Sequence, residues 1–380
     1  MRILFNMVSP NRGGGFQTYN NNLLKGLLAN DNNYYLIFLN EESINSFSIP
    51  DQDNIQIISV SRLFSKTIPR YIWMQFVLPI HLMINKIDIL FSPMNVMPIL
   101  VKILKIKSIL VVHTNLLWMY PEVLSQLSKI NIFSQKLLRN LSVLVANKII
   151  VDSETAKKEL LSFFPNIIDK THTIHLGVDH DRFTKNKKNV KSLDNIDIIN
   201  ENYFLTISSA VRYHCLIELI TAYDNLNSKH NKIPKFVLIS SNIHDPIYYN
   251  EIQDFIKSTP SSKKIILIEN IDSSCLPGLY KNAELYIFSS YCEVFGLTNL
   301  EAMVCGTPVL TSNKSALPEI CGNAAVYFDP FNSKDIENKM SYVYFDNKIK
   351  NKLILKGFKH VKKFSWEKTF SKTKSILYDI

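Results

Sequence analysis

The sequence predicts an α/β protein made of two successive domains of similar size, each with a parallel sheet. Three observations predict it. Short β-branched and aromatic runs alternate with amphipathic helical patterns, and this alternation requires parallel strands joined by helical crossovers. The alternation stops once, in a polar lysine-rich stretch, and then restarts. At 380 residues, 46% hydrophobic and 20% charged, the chain is globular and long enough for two or three domains.

The elements follow in order. Arg2–Asn6 reads as a strand, and Thr18–Leu28 as a helix with Leu23, Leu24, Leu27 and Leu28 on one side. Tyr34–Leu39, Ile55–Val60, Asp88–Phe91, Ser108–His113 and Lys148–Val151 read as buried strands. Ser153–Phe163 reads as a helix with a serine N-cap. Phe183–Asn202 is polar and aperiodic, a surface connection near a domain boundary. Tyr203–Ile207 then begins a second series, followed by a helix over Leu216–Leu226 that places Leu216, Leu219, Ile220 and Tyr223 on one face. Lys235–Ser240, Ile265–Glu269, Leu285–Ser289 and Pro308–Thr311 are its further strands, and Asp329–Ile380 is helical.

Composition excludes several functions. Lys plus Arg exceeds Asp plus Glu by 43 to 33, a net charge of +10 that suits an anionic substrate or an anionic membrane surface but is too diffuse for a nucleic-acid binder. The five cysteines (Cys215, Cys275, Cys292, Cys305, Cys321) form no CxxC pair, which points to a reducing compartment and excludes a disulfide scaffold. MRILFNMVSP enters a strand pattern directly, without a secretory leader, and the apolar stretch Pro98–Val112 is broken by Lys102, Lys105 and Lys107. A soluble or surface-attached protein is expected.

Glycine is scarce, only 10 residues, yet three of them follow one another in Arg12-Gly13-Gly14-Gly15 ahead of the first helix. A backbone without Cβ atoms can approach a ligand closely there, and the helix N-terminus favours an anion. Thr18 stands where a dinucleotide fingerprint needs its third glycine, so a nicotinamide cofactor is not expected. His113 ends a strand, where open α/β sheets bind ligands; it can contact a phosphate or sugar hydroxyl, or simply brace a loop. The richest segment is SSYCEVFGLTNLEAMVCGTP, Ser289–Pro308. A strand ends, a loop follows, a helix starts near Thr298, and Gly306 with Pro308 stops it. Thr298-x-x-Glu301 has the spacing of a capping box, which leaves Glu293 unexplained. Two carboxylates around a glycine loop at a helix start can bind polyhydroxyl groups while the helix faces a phosphate. Asp51-Gln52-Asp53 has the spacing of a paired-carboxylate metal site, but it sits in a polar turn after Pro50, and no metal site is expected.

Glu293-x7-Glu301 within EVFGLTNLEAMVCGTPV resembles the signature of glycosyltransferase family 4, which has the GT-B fold. GGGFQTYNNNLLKGL, VVHTN, VDSETAKKEL, IHLGVDHDRF and TSNKSALPEICGNAAVYFDP continue the resemblance in the family's order over nearly the whole chain. The resemblance implies two Rossmann-like domains facing across a cleft: an acceptor-side domain over 1–182, a linker over 183–202, a nucleotide-sugar domain over 203–363, and a terminal helix over 364–380 that returns to the first domain. It implies that Glu301 holds the ribose, Glu293 lies near the donor sugar, and Phe295, Gly296, Leu297 and Thr298 approach the diphosphate. Gly14, Gly15 and His113 complete the site. The implied reaction retains anomeric configuration, needs neither metal nor cofactor, and uses the leaving diphosphate to assist acceptor deprotonation. Aligned on Leu216–Tyr223, the chain carries Ser208 for a family glycine and Tyr213-His214-Cys215 for Arg-Lys-Asn, so His214 replaces a lysine at the diphosphate grip and Arg212 is the nearest source of a fixed charge. Val294 replaces a loop glycine. Arg70-x-x-Trp73-x-Gln75-x-x-Leu78-Pro79, with Asp88, Ser92-Pro93 and Pro98, is similar to the branch that builds bacterial surface polysaccharides, often with mannose.

The expected partners are therefore a nucleotide-sugar donor and a glycan or lipid-linked glycan acceptor, at the cytoplasmic membrane face. Lys102, Lys105, Lys107, Lys129, Lys136 and Arg139 are available to attract anionic lipid. The alternatives are a non-catalytic GT-B subunit that supports a partner enzyme, or a nucleotide-sugar 2-epimerase.

Overall fold

The computed structural model describes residues 1–9, 14–28, 32–124, 127–185, 202–230, 232–269 and 271–380. Arg12, Gly13 and most of the expected linker lie outside the described residues. The chain divides into two compact units, Met1–Gly177 with Trp366–Ile380, and Val178–Ser365.

The first unit holds a seven-stranded parallel sheet, β1 (Arg2–Asn6), β2 (Tyr34–Asn40), β3 (Ile55–Val60), β4 (Ile89–Ser92), β5 (Lys107–Val112), β6 (Lys148–Val151) and β7 (Thr171–Thr173), in the order β3-β2-β1-β4-β5-β6-β7. Helices cover both faces, so the central strands are apolar without alternation: Leu36, Ile37 and Phe38 are all buried. The helix Gly14–Leu28 starts earlier than its periodicity shows and buries Leu23, Leu24, Leu27 and Leu28. Ser153 caps Glu154–Phe163 by accepting from the Ala156 amide at 3.0 Å. β7 escaped the sequence pattern because Thr-His-Thr is short and polar, at the sheet edge. The terminal helix Trp366–Tyr378 packs on Gly14–Leu28, where the Phe370 ring fills the space a Cβ on Gly26 would take. Arg139, grouped by sequence with the membrane-facing lysines, is instead turned inward beside Tyr71 and Arg70, and burial lowers its guanidinium from its ordinary value.

The second unit has six parallel strands, β8 (Tyr203–Ser209), β9 (Lys235–Ser241), β10 (Ile265–Ile268), β11 (Ala283–Phe288), β12 (Val309–Ser312) and β13 (Ala325–Phe328), in the order β10-β9-β8-β11-β12-β13. Leu216, Leu219, Ile220 and Tyr223 of helix Leu216–Lys229 pack into its core with Phe204, Phe236 and Leu238. The short helix His180–Lys185, which the sequence divides between the first domain and the linker, belongs to this unit: the Phe183 ring lies 5.9 Å from that of Tyr280. No described helix is long and apolar enough to cross a membrane. All five cysteines are free thiols.

Both sheets reverse strand order at one point, β1/β4 in the first and β8/β11 in the second. In open α/β sheets, a crevice for ligands forms outside the carboxyl ends of the strands at such a point.

Candidate functional site

In the second unit, the loops leaving β8 and β11 are the ones at the reversal point. After β8 the chain passes through a single 3-10 turn, Arg212–His214, to Cys215, whose φ of 48° is left-handed. This turn is tied to the β11 loop in two places. Ser289 Oγ donates to the His214 carbonyl at 2.5 Å, and the Tyr291 amide donates to the Tyr213 carbonyl at 2.9 Å. His214 is thereby buried with both ring nitrogens engaged: Nδ1 lies 2.7 Å from the Ser209 carbonyl and Nε2 lies 3.2 Å from Glu293 Oε1. Glu293 is pinned through its backbone, its amide donating to Ser315 Oγ at 3.1 Å and its carbonyl accepting from that hydroxyl at 2.6 Å. The structure therefore joins Glu293 to His214, the residue that departs from the family pattern. Ser208, the other departure, has a buried hydroxyl without a protein partner.

The loop then enters helix Leu297–Val304 through Gly296, with φ 83°. A side chain there would be strained twice, by that backbone and by a Cβ only 2.4 Å from Leu317 Cδ2. Gly296→Ala should destabilise the second unit by about 2 kcal/mol or more, read as a lower denaturation midpoint. An unchanged midpoint would show that the loop adjusts freely. Leu297 and Thr298 lie in the first turn, where amides have no intrahelical partner and suit an anion. Phe295 is buried and its ring packs at 5.8 Å from that of Phe364, so it braces the loop. Gly306, with φ 81°, ends the helix as its position in the sequence requires.

The capping-box expectation for Thr298 and Glu301 does not hold. Gly296 is the N-cap and no side chain caps the helix. Glu301 is buried instead, and its Oε2 accepts from the Tyr280 hydroxyl at 3.0 Å. Burial pushes the Glu301 carboxyl up to about 7, and the Tyr280 hydrogen bond and the Arg182 charge offset only part of that rise. Arg212 does not turn toward Glu293. Its guanidinium meets Glu251 at 2.6 Å and lies over the Tyr248 ring at 4.9 Å, and the Glu251 hydrogen bond raises its pKa.

In the first unit, His113 and Asp152 follow β5 and β6, whose register pairs Val112 with Val151. The two side chains therefore emerge side by side, with His113 Nδ1 2.9 Å from Asp152 Oδ2. A carboxylate only accepts, so Nδ1 carries the proton and Nε2 of the neutral ring is an acceptor. The Asn95 side chain accepts from the His113 amide at 2.6 Å, and the Tyr19 ring packs edge-on at 4.4 Å. Three buried polar atoms of this cluster have no protein partner: His113 Nε2, Asp152 Oδ1 and the Tyr19 hydroxyl. Burial and Asp152 together push the Tyr19 hydroxyl pKa well up. Unsatisfied buried groups are costly, and their concentration at strand ends suits a ligand. Asp152 was missed by the sequence reading. The signal was there in two apolar runs that end alike, VVHT and IVDS, but only the strand register sets them adjacent. Gly14, with φ 75°, and Gly15 open the first helix, and a Cβ on either would meet nothing within 4 Å, so the backbone there is open.

Asp51 and Asp53 are exposed ahead of β3, at the opposite end of the strands from where parallel sheets bind ligands.

Comparison with known proteins bears on the family and the fold of the two units. The family model "Glycosyltransferase Family 4" matches residues 13–182, and "Glycosyl transferases group 1" matches residues 193–360. The chain is 37% identical over 98 residues to O-antigen chain mannosyltransferase B of Escherichia coli, covering 26% of each protein. It is 25% identical over 227 residues to a serotype-specific mannosyltransferase of the same species, covering 59% of this chain and 28% of that one. These matches thus span little more than a quarter of either relative's length. The crystal structure of Anabaena HepE in complex with UDP and glucose superposes with a TM-score of 0.76 at 15% identity, over 100% of this chain and 99% of that one, and shows the same fold. Matched in both units and sharing this two-sheet architecture, the chain belongs to the GT-B glycosyltransferases, with a family 4 first unit and a group 1 second unit.

Proposed function

We propose that the chain is a retaining transferase that moves a hexose, mannose-like, from a nucleotide sugar to a lipid-linked or growing surface glycan. The observation that carries this is the placement of Glu293, His214 and Glu301 around one loop at the reversal point of the second sheet. Glu301 accepts from the ribose hydroxyls. Glu293, oriented by His214, accepts from hydroxyls of the donor sugar. The Leu297 and Thr298 amides receive the diphosphate, with Gly296 keeping the backbone within reach. In the first unit, taken by itself, Asp152 fixes the His113 tautomer so that Nε2 accepts from a hydroxyl, and the Gly14–Gly15 backbone is open to close approach.

The bond from the anomeric carbon to the diphosphate oxygen breaks, and a bond to the acceptor oxygen forms on the same face. The acceptor proton passes to the departing phosphate oxygen, so no protein nucleophile is required. The protein contributes positioning and stabilisation of the developing charge. Relatives named as mannosyltransferases support the hexose and the surface-glycan acceptor, and a fold neighbour holding UDP and glucose supports the nucleotide-sugar donor.

A thermal-shift screen against UDP-, GDP-, ADP- and CDP-sugars tests the donor class. Ligand at 100 times its Kd stabilises by roughly 2.7 kcal/mol, so one nucleotide should raise the melting temperature clearly and the others should not. EDTA should leave turnover intact; loss of activity restored by Mn²⁺ or Mg²⁺ would overturn the metal-free mechanism.

Two observations favour a second reading, a donor-binding subunit without turnover. His214 stands where the family pattern has lysine, and the charge of Arg212 is already met by Glu251. Binding of a nucleotide sugar without any release of nucleoside diphosphate would decide for it.

A further inference from the structure

At the amino-terminal edge of the first sheet, opposite the end that carries His113, lies a cavity of about 530 Å³. Lys102, Lys105, Lys107 and Lys170 line it together with Leu144 and Asn147, and no carboxylate is among its described lining residues. The fold builds this cluster rather than scattering it. Lys102 ends a 3-10 turn, Lys105 is held in the left-handed conformation at φ 56°, and Lys107 opens β5. Lys170 is anchored by donating to the Leu144 and Ala146 carbonyls, both at 2.8 Å, at the C-terminal end of helix Lys129–Val145. Lys107 Nζ is already engaged, donating to a main-chain oxygen of Ile380, the last residue of the sequence, so the remaining cationic lining is that of Lys102, Lys105 and Lys170. Burial, and then the charge of Lys102, lower the Lys170 pKa from its ordinary value, so the cluster repels itself. A bound anion would relieve that repulsion.

The apolar residues nearby narrow the source of the anion. Ile103, between two of the lysines, is 75% exposed, and Leu144 on the cavity wall is 53% exposed. Ile84, just ahead of β4 at the same sheet edge, is 72% exposed. A soluble phosphate has no use for these side chains, whereas a phospholipid presents a phosphate with acyl carbon directly beneath it.

We propose that this cavity holds the phosphate of an anionic phospholipid headgroup, and that Ile103 and Leu144 enter the acyl boundary beside it. This goes beyond the proposed transfer to a surface glycan by assigning the first unit a membrane contact. It does not depend on the donor chemistry, because none of these lysines lies at the carboxyl ends of the strands.

The test uses the full chain and the triple variant Lys102→Gln, Lys105→Gln, Lys170→Gln. A second triple variant, Lys348→Gln, Lys352→Gln, Lys359→Gln, loses the same charge from an exposed helix face of the other unit. Both are sedimented with vesicles of phosphatidylcholine alone, and with vesicles of equal parts phosphatidylcholine and phosphatidylglycerol. The wild type should bind only the second kind, the cavity variant should bind them about 100-fold more weakly, and the control variant should lose little. Equal loss in the two variants would reduce the effect to diffuse charge and overturn the proposal. So would failure of the wild type to bind. Saturable binding of inorganic phosphate by calorimetry, lost in the cavity variant and unaccompanied by vesicle binding, would identify a site for soluble phosphate and also overturn it. Affinity for the donor nucleotide, measured on all three proteins, should be equal. A shared loss would indicate a folding defect, to be resolved with the single variant Lys105→Gln, which should still weaken vesicle binding severalfold.

Discussion

Glu301→Gln should make the protein more stable and less able to bind its donor at the same time. The Glu301 carboxyl has a folded-state pKa of about 7 against an ordinary 4.5, because burial opposes its charge. Between those values the folded chain holds a proton that the unfolded chain has lost. The contribution of Glu301 to stability therefore falls as pH rises from about 4.5 to about 7 and is level above that. At pH 8 the folded state bears a cost of about 3 kcal/mol that glutamine removes, while the Tyr280 hydroxyl can still donate to the new amide oxygen. The variant should melt several degrees higher at pH 8 and about equally near pH 4. The donor should suffer in the opposite sense, since ribose hydroxyls lose a charged acceptor valued at ~1.5–3 kcal/mol. Wild-type affinity for a nucleotide sugar should also tighten by roughly tenfold from pH 6 to pH 8, as Glu301 ionises, and the variant should show a flat profile. A nucleotide sugar suits this measurement because its diphosphate has no terminal phosphate to titrate in that range. A stabilised variant with unchanged donor affinity would leave Glu301 as a buried strain with no part in binding.

The second large effect is expected at the His113–Asp152 pair. His113→Ala should lower kcat by about 100-fold or more, the scale of losing one well-placed contact to reacting groups. Asp152→Asn keeps the shape but removes the charge that holds the proton on Nδ1, and should lower kcat by about tenfold with little change in donor KM. Because the two act as a unit, the double variant should be no worse than His113→Ala alone. Multiplying losses, or a fall in melting temperature that accounts for the lost activity, would return the pair to bracing two loops.

Much of the fold was legible in the sequence because buried parallel strands announce themselves as unbroken apolar runs, and β1 and the helix after β8 lie where their patterns put them. The edge strand β7 was not, since a three-residue polar strand has no period to detect. The site divides in the same way. Glu293 and Glu301 are set out by local spacing around a glycine. Their environments are not local: the pKa of Glu301 depends on burial and on Tyr280, and the hold on Glu293 depends on Ser315 and His214. The capping-box expectation failed for that reason, because Gly296 starts the helix and leaves Glu301 to face inward. Arg212 stands beside the expected diphosphate grip by its position in the sequence, and its contact with Glu251, 39 residues away, is not legible there.

If Glu301 and its loop bind a nucleotide sugar whose sugar the chain transfers, nucleoside diphosphate release must depend on that carboxyl. Release of nucleoside diphosphate from nucleotide sugars by the purified chain in EDTA, followed beside the Glu301→Gln variant, tests it most directly. Slow release from one donor class is expected of the wild type, and a strong loss in the variant at subsaturating donor, with both proteins folded. Release that proceeds equally in the variant, or no release from any of the four nucleotide classes by a folded wild type, would contradict it.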